Sequence, residues 1–208
     1  MKTLNLLVLA CILSLSVIAK ADDEDLAPQN SVSLRDQDTS VFDETRIHLG
    51  ISLVDSMQDY LIAPGVREKG TLRGFELGLG VDLFSPEWIA EGIISTFPQD
   101  SISDTNLSLS GFELRLLYEK PIFYGVTLHG GVGLGSRAYN LKTKPRADHT
   151  VAALDKSFNS GASVLVFGAD YWPSGEVSAG LEVTNHLPMA AGDDPSSIDF
   201  AVKLTGHF

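Results

Sequence analysis

The stretch IDFAVKLTGHF, residues 198–208, sets the reading of the whole chain. Ile198, Phe200, Val202, Leu204 and Phe208 are apolar, while Asp199, Lys203, Thr205 and His207 between them are polar. Successive side chains of a strand point to opposite faces, so this alternation predicts a β-strand with one apolar and one polar face. A loose chain end is ordinarily polar. One that finishes on an aromatic ring in line with an apolar face is expected to be held in a sheet.

Working back from there, the same period of two recurs seven times. The segments are RIHLGISLV (46–54), GFELGLGVDLF (74–84), WIAEGIISTF (88–97), GFELRLLYE (111–119), GVTLHGGVGLGSRAY (125–139), ASVLVFGADY (162–171) and VSAGLEVT (177–184). No segment keeps a helical period, and glycines at 78, 80, 130, 131, 133 and 135 would weaken helices badly. The chain is expected to be all-β, with eight strands. Alternation alone does not say which face is wet, because a soluble sandwich and a membrane barrel write the same pattern.

Two features point to the barrel. The connections alternate: SPE, KPIFY and WPSGE are short, whereas 13 to 22 residues separate strands 1 and 2, 3 and 4, 5 and 6, and 7 and 8. Short turns at one end and long loops at the other are the habit of transmembrane barrels, with the short end in the periplasm. Aromatic residues flank all three short turns: Phe84 and Trp88, Tyr118 with Phe123 and Tyr124, and Tyr171 with Trp172. Phe208 falls at the same level, as expected for rings at a membrane–water boundary.

The other end of the chain agrees with this reading. Lys2, the apolar run LNLLVLACILSLSVIA and Ala19-Lys20-Ala21 read as a cleavable export signal over residues 1–21. Cutting at Cys11 for lipidation would leave half of that run on the product, and without residues 1–21 the chain holds no cysteine. Residues 22–45 carry eight carboxylates against Arg35 and no sustained hydrophobic period, and are read as a flexible acidic periplasmic arm. Residues 46–208 then form the barrel. With Lys2 and Lys20 taken from the 15 basic residues, 13 face 27 acidic ones, a balance that disfavours nucleic acid as a partner.

With this frame in place, Phe208 preceded by apolar residues at alternate positions resembles the assembly signal of bacterial outer-membrane β-barrels. Residues 46–208 resemble the small eight-stranded barrel family that includes the OmpA transmembrane domain and OmpX; Gly206, in an apolar slot, departs mildly from the pattern. The resemblance implies an antiparallel up-and-down barrel in the outer membrane, contact with its lipid and lipopolysaccharide, and recognition of Phe200, Val202, Leu204 and Phe208 by the barrel assembly machinery.

An outward apolar face puts Arg46, His48, Glu76, Asp82, Glu91, Glu113, Arg115, His129, Arg137, Asp170, Glu182, Asp199, Lys203 and His207 in the lumen. Eight strands enclose a space that side chains fill, so charges of both signs are expected to pair there rather than to line a wide pore. Arg46, Glu76, Glu113, Arg115, His129 and Lys203 form the expected network, with His129 near Glu113 once strand 4 folds onto strand 5. In the loops, Arg67, Lys69, Arg73, Lys142, Lys144 and Arg146 are candidates for lipopolysaccharide phosphates, and YLIAP (60–64) reads as an exposed apolar patch. No phosphate loop, zinc spacing or calcium loop is present, and His186 lacks the serine two residues on that a lipid A deacylase would show. The expected role is therefore non-enzymatic and without a cofactor: envelope structure or surface interaction through long loops. A narrow channel is the alternative, and a lipid-modifying enzyme a more distant one.

Overall fold

A computed structural model describes residues 46–63, 65–102, 105–123, 125–145, 153–173, 175–190 and 194–208. The leader read at 1–21, the arm at 22–45, Tyr124 and Arg146 lie outside the described residues. The alternating segments become strands β1 (Ile47–Ala63), β2 (Val66–Asp82), β3 (Trp88–Ile102), β4 (Thr105–Phe123), β5 (Val126–Thr143), β6 (Leu154–Tyr171), β7 (Val177–Pro188) and β8 (Ser196–His207). Each pairs antiparallel with the next and β1 pairs with β8, so the sheet closes on itself. Ile47 and Phe208 seal the last seam by donating amide hydrogens to each other's carbonyls at 2.9 Å. Closure satisfies every ladder and leaves no edge within the paired span.

All eight expected strands are present, but several run much further than the alternation of apolar residues indicated. The supposed loops 55–73, 98–110 and 140–161 are mostly strand, and β1 turns into β2 at residues 64–65. Gly65 takes φ +77° there and Gly125 takes +75° between β4 and β5, values an L side chain rarely adopts. Among the described residues, successive strand ends have more than five residues between them only from Thr143 to Leu154 and from Pro188 to Ser196. We call the end bearing residues 83–87, 124–125 and 172–176 the turn end, and the opposite one the far end.

The wall changes character along its height. Nearer the turn end, Ile47, Leu49, Ile51 and Leu53 of β1 face outward, as do Phe75, Leu77 and Leu79 of β2, Phe112, Leu114 and Leu116 of β4, and Leu165 and Phe167 of β6. Further along the same strands the outward positions become Asp55, Arg73, Ser110, Ser136 and Ser163. The interior changes in the opposite sense. Charged and hydroxyl side chains fill most of the first region, beside a small apolar patch of Ile89, Leu117, Val164 and Val166, whereas Tyr60, Ile62, Leu72, Phe97, Leu107, Leu109, Tyr139 and Leu141 form one apolar cluster in the second. Arg137 marks the junction, its guanidinium carbon 5.9 Å from the centre of the Phe97 ring.

The far-end extension is built from two pieces. The β2–β3 ladder stops at Phe75 and Thr96, the β1–β8 ladder at Asp59 and Ser196, and the β6–β7 ladder at Ala162 and Pro188. Beyond those points β1 and β2 continue as a hairpin, and β3 to β6 continue as a four-stranded sheet. Pro98, which cannot donate to a ladder, falls in the register irregularity between Phe97 and Asp100. The apolar cluster packs both pieces together, and Thr105 donates to Glu68 at 3.0 Å across them.

Candidate functional site

The lumen is the best-built polar site of the molecule, and backbone parity alone decides who is in it. Odd positions of β4 and β5 and even positions of β1, β2, β6 and β7 point inward. At mid-height Glu113 of β4 is buried completely and accepts from Arg115 at 2.7 Å and from Arg137 at 3.1 Å, with His186 at 2.7 Å. Arg115 also donates to Glu182 at 2.7 Å, and Lys203 pairs with Glu91. Arg137 holds Asp199 and donates to Ser197 at 2.8 Å, and Ser56 donates to Asp199. Three permanent cations are thus shared among several carboxylates, which is how charges persist away from water.

The structure therefore brings Glu113, Arg115 and, through Glu91 and Glu182, Lys203 into one network. Glu76 faces the same space, buried, with its Oε1 free of hydrogen bonds. Arg46 stands half-buried just before β1, at the turn end. The expected approach of His129 to Glu113 is not found. Strand register places Glu113 opposite Gly135 and His129 opposite Glu119, so the two are six residues apart along β4. His129 instead meets Asp170 at 2.7 Å and Glu182 at 3.3 Å. The histidine beside Glu113 is His186, which the sequence reading weighed only for an enzymatic motif. Its even spacing from Glu182 and Thr184 on β7 is the signal that places it inside.

At the turn-end rim four residues make a chain of hydrogen bonds. Ser178 Oγ lies 2.9 Å from His207 Nε2, His207 Nδ1 lies 2.7 Å from His48 Nδ1, and His48 Nε2 lies 2.6 Å from Asp82. One tautomer set runs through it, with Ser178 donating to His207, His207 to His48, and His48 to Asp82. The order resembles an activated serine. Ser178 is only 2% exposed, however, and the Trp172 ring stacks on His207 at 3.9 Å. Trp172, expected in the outer aromatic belt, thus covers the lumen mouth, while Phe84, Trp88, Tyr118, Phe123, Tyr171 and Phe208 do face outward.

The predicted loop cations sit on strands rather than on loops. Arg67 and Lys69 lie on β2 and Lys142 on β5, with Lys144 just beyond it. Each of the first three has an acidic neighbour: Arg67 and Lys69 reach Asp59 at 2.6 and 3.4 Å, and Lys142 reaches Asp155 at 3.1 Å. Arg73 reaches Asp55 at 2.8 Å, and its hydrogen bond holds that carboxyl below the usual range. For Asp59, partial burial pushes upward, but Arg67 and Lys69 outweigh it and the net direction is down. The YLIAP patch is likewise corrected, since Tyr60 and Ile62 point inward and are buried.

No protein-family model matches the sequence, and no curated protein does so. Among solved structures, the chain is similar to the attachment invasion locus protein Ail of Yersinia pestis, determined with the heparin analogue sucrose octasulfate. Identity there is 14% over 80% of this chain and 100% of that chain, with a TM-score of 0.54. It is also similar to Neisserial surface protein A, at 12% identity over 79% of this chain and 100% of that one, with a TM-score of 0.58. The fold is that of the small eight-stranded outer-membrane β-barrels. At these identities the likeness is one of architecture. The apolar face is outward and the polar face lines the lumen, the arrangement that barrels of this kind present.

Proposed function

We propose that this small barrel spans the bacterial outer membrane, exported by the leader read in residues 1–21, and acts non-enzymatically in envelope structure or surface interaction. The observation that carries the reading is the reversal of polarity along the wall. The apolar band ends in aromatic residues on both sides, with Phe75, Phe112 and Phe200 at its far border and Trp88, Tyr118 and Tyr171 at the other. Such paired girdles suit two membrane interfaces. Beyond the far border stands an extension with an apolar interior and a charged exterior, a form suited to water.

The surface offered to a partner is thus largely strand-built, where the sequence leads one to expect long loops. Lipopolysaccharide phosphates would meet Arg67, Lys69 and Lys142 there, with Lys144 just beyond β5, in competition with Asp59 and Asp155. The outward row Phe200, Val202, Leu204 and Phe208 supports capture of β8 by the barrel assembly machinery. For the channel alternative, the ion-paired lumen under the apolar far-end cluster favours a closed barrel. Ser178, buried beneath Trp172, favours a structural role for the rim relay.

Single cysteines test the placement in a Cys11→Ser background. Lys69→Cys should react with a membrane-impermeant maleimide on intact cells, and Glu176→Cys only after permeabilisation. The reverse pattern, or labelling of neither in folded protein, would overturn the orientation. Discrete single-channel conductance in planar bilayers would replace the closed-barrel reading with the channel.

A further inference from the structure

Near the turn end, three neighbouring strands direct ligating groups at one point. Glu119 of β4 is the register partner of His129 of β5, and Asp170 of β6 faces Thr127, one inward step away. All three are buried, and their ligand atoms lie within 4.8 Å of one another. The space is shaped for them. A Cβ on Gly168 would overlap the His129 ring, and one on Gly180 would overlap the Asp170 carboxylate. A cavity of about 20 Å³ lined by Glu119, His129, Asp170 and Glu91 adjoins the group, room for one water-sized occupant.

His129 joins the group through Nδ1, 2.7 Å from Asp170, which leaves Nε2 on the far side of the ring, 3.3 Å from Glu182 Oε2. Either ring nitrogen can carry the single proton of a neutral imidazole. With the proton on Nε2 it is directed at Glu182, and Nδ1 turns its lone pair to the point where Glu119 and Asp170 converge. Glu182 is itself balanced by Arg115 at 2.7 Å and Lys203 at 4.0 Å, and Lys203 is held by Glu91.

We propose that Glu119, His129 through Nδ1, and Asp170 form a binding site for a divalent first-row transition cation of the zinc type, the metal taking the place of the proton between Nδ1 and Asp170. One imidazole with carboxylates suits such ions better than calcium or magnesium, which favour all-oxygen shells. Ligands about 2.0–2.2 Å from a tetrahedral ion stand about 3.3 Å apart, so binding draws the group inward by about an ångström. Glu182 accepts the remaining ring proton from Nε2 and orients the imidazole from outside the metal's own shell. The cation ties β4, β5 and β6 together, beneath the rim formed by His48, His207 and Trp172.

The test needs only the full barrel folded in detergent, so its outcome is separate from that of the membrane placement. Isothermal titration with Zn²⁺ should give one ion per barrel, and Mg²⁺ or Ca²⁺ should not compete. His129→Ala and Glu119→Gln should each weaken binding at least about tenfold. His186→Gln, in the mid-height network, should leave it unchanged. Co²⁺ at the same site should show the visible absorption of a low-symmetry, four- or five-coordinate ion, lost in both ligand variants. Glu119→Gln keeps the side-chain shape and decides the matter if His129→Ala fails to fold. Wild-type barrel that takes up no Zn²⁺, or uptake that survives Glu119→Gln, or uptake abolished equally by His186→Gln, would overturn the site.

Discussion

Along β1, Ile47, Leu49, Ile51 and Leu53 face outward while His48 and Ser52 face in; a few residues on, Asp55 and Asp59 face outward while Tyr60 and Ile62 face in. β4 repeats the contrast, with Phe112 and Leu114 outside Glu113 in one region and Asn106 and Ser108 outside Leu107 and Leu109 in the other. The strand never changes phase. What changes is the sign of the hydrophobic pattern, and it changes at a common height. The interior of a barrel is thus set by its exterior solvent. Against lipid, the wall must be apolar and the polar side chains are driven inward, where they neutralise one another. Against water, the barrel is built like a soluble protein, with burial of apolar surface as its main source of stability.

The interiors should therefore fail for different reasons. Glu113→Leu changes volume little but leaves Arg115 and Arg137 short of a buried counter-charge, an expected loss of about 3–5 kcal/mol. Leu107→Ala in the far-end cluster removes packing and no charge, and is expected to cost about 2–5 kcal/mol. Urea unfolding in lipid vesicles, read by heat-modifiable migration on gels, measures both. A Glu113→Leu barrel as stable as wild type would mean that the lumen depends on space rather than on charge, and the contrast would fail.

The exteriors offer a more direct comparison of the same new side chain at two heights of one strand. Leu79→Arg, in the apolar band of β2, is expected to cost about 2–4 kcal/mol if it lies near mid-membrane. Thr71→Arg, exposed on the same face of the same strand beyond Arg73, should stay within about 0.5 kcal/mol of wild type. Similar losses at both sites would erase the boundary. A graded series through Leu77, Phe75 and Arg73 would locate it.

The same reversal explains what the sequence disclosed. Strand number, the inward charged rows and the outward apolar rows are legible because alternation in the apolar band is strong: Leu77 and Leu79 around Gly78, or Phe112 and Leu114 around Glu113, read without ambiguity. The extensions are not. From Asp55 to Arg73 the apolar residues shift to the other parity and mix with Ser56, Gln58 and Gly70, so alternation weakens and the segment reads as loop. YLIAP reads as an exposed patch for that reason, whereas its Tyr60 and Ile62 belong to an interior that starts where the outward apolar band stops. The error over His129 had another origin. Pairing it with Glu113 required the turn to be placed correctly, and the two-residue connection at 124–125 sets His129 opposite Glu119 instead. His186 is legible by parity, two inward steps from Glu182, although nothing in its sequence neighbours Leu187 and Pro188 marks it as part of a site.

The smallest expected effect lies at the boundary itself, where Asp55 and Arg73 form the first outward ion pair beyond the band. The Asp55 carboxyl is held below its usual range, chiefly by the hydrogen bond from Arg73. A carboxyl depressed in the folded state contributes stability above its unfolded value of about 3.9, and that contribution fades as pH falls through the lower folded value. Wild type should therefore exceed Arg73→Gln in stability near neutral pH, with the gap closing below about pH 4. The pair is largely exposed, so the gap should stay under about 1 kcal/mol. Salt separates it from the buried network. Raising ionic strength to about 0.5 M shortens the screening length enough to remove most of the Arg73→Gln difference, while the Glu113→Leu loss, shielded inside the lumen, should persist. An Arg73→Gln gap that widens toward acid, or that ignores salt, would place Asp55 inside the low-dielectric band and move the boundary outward by at least one residue pair.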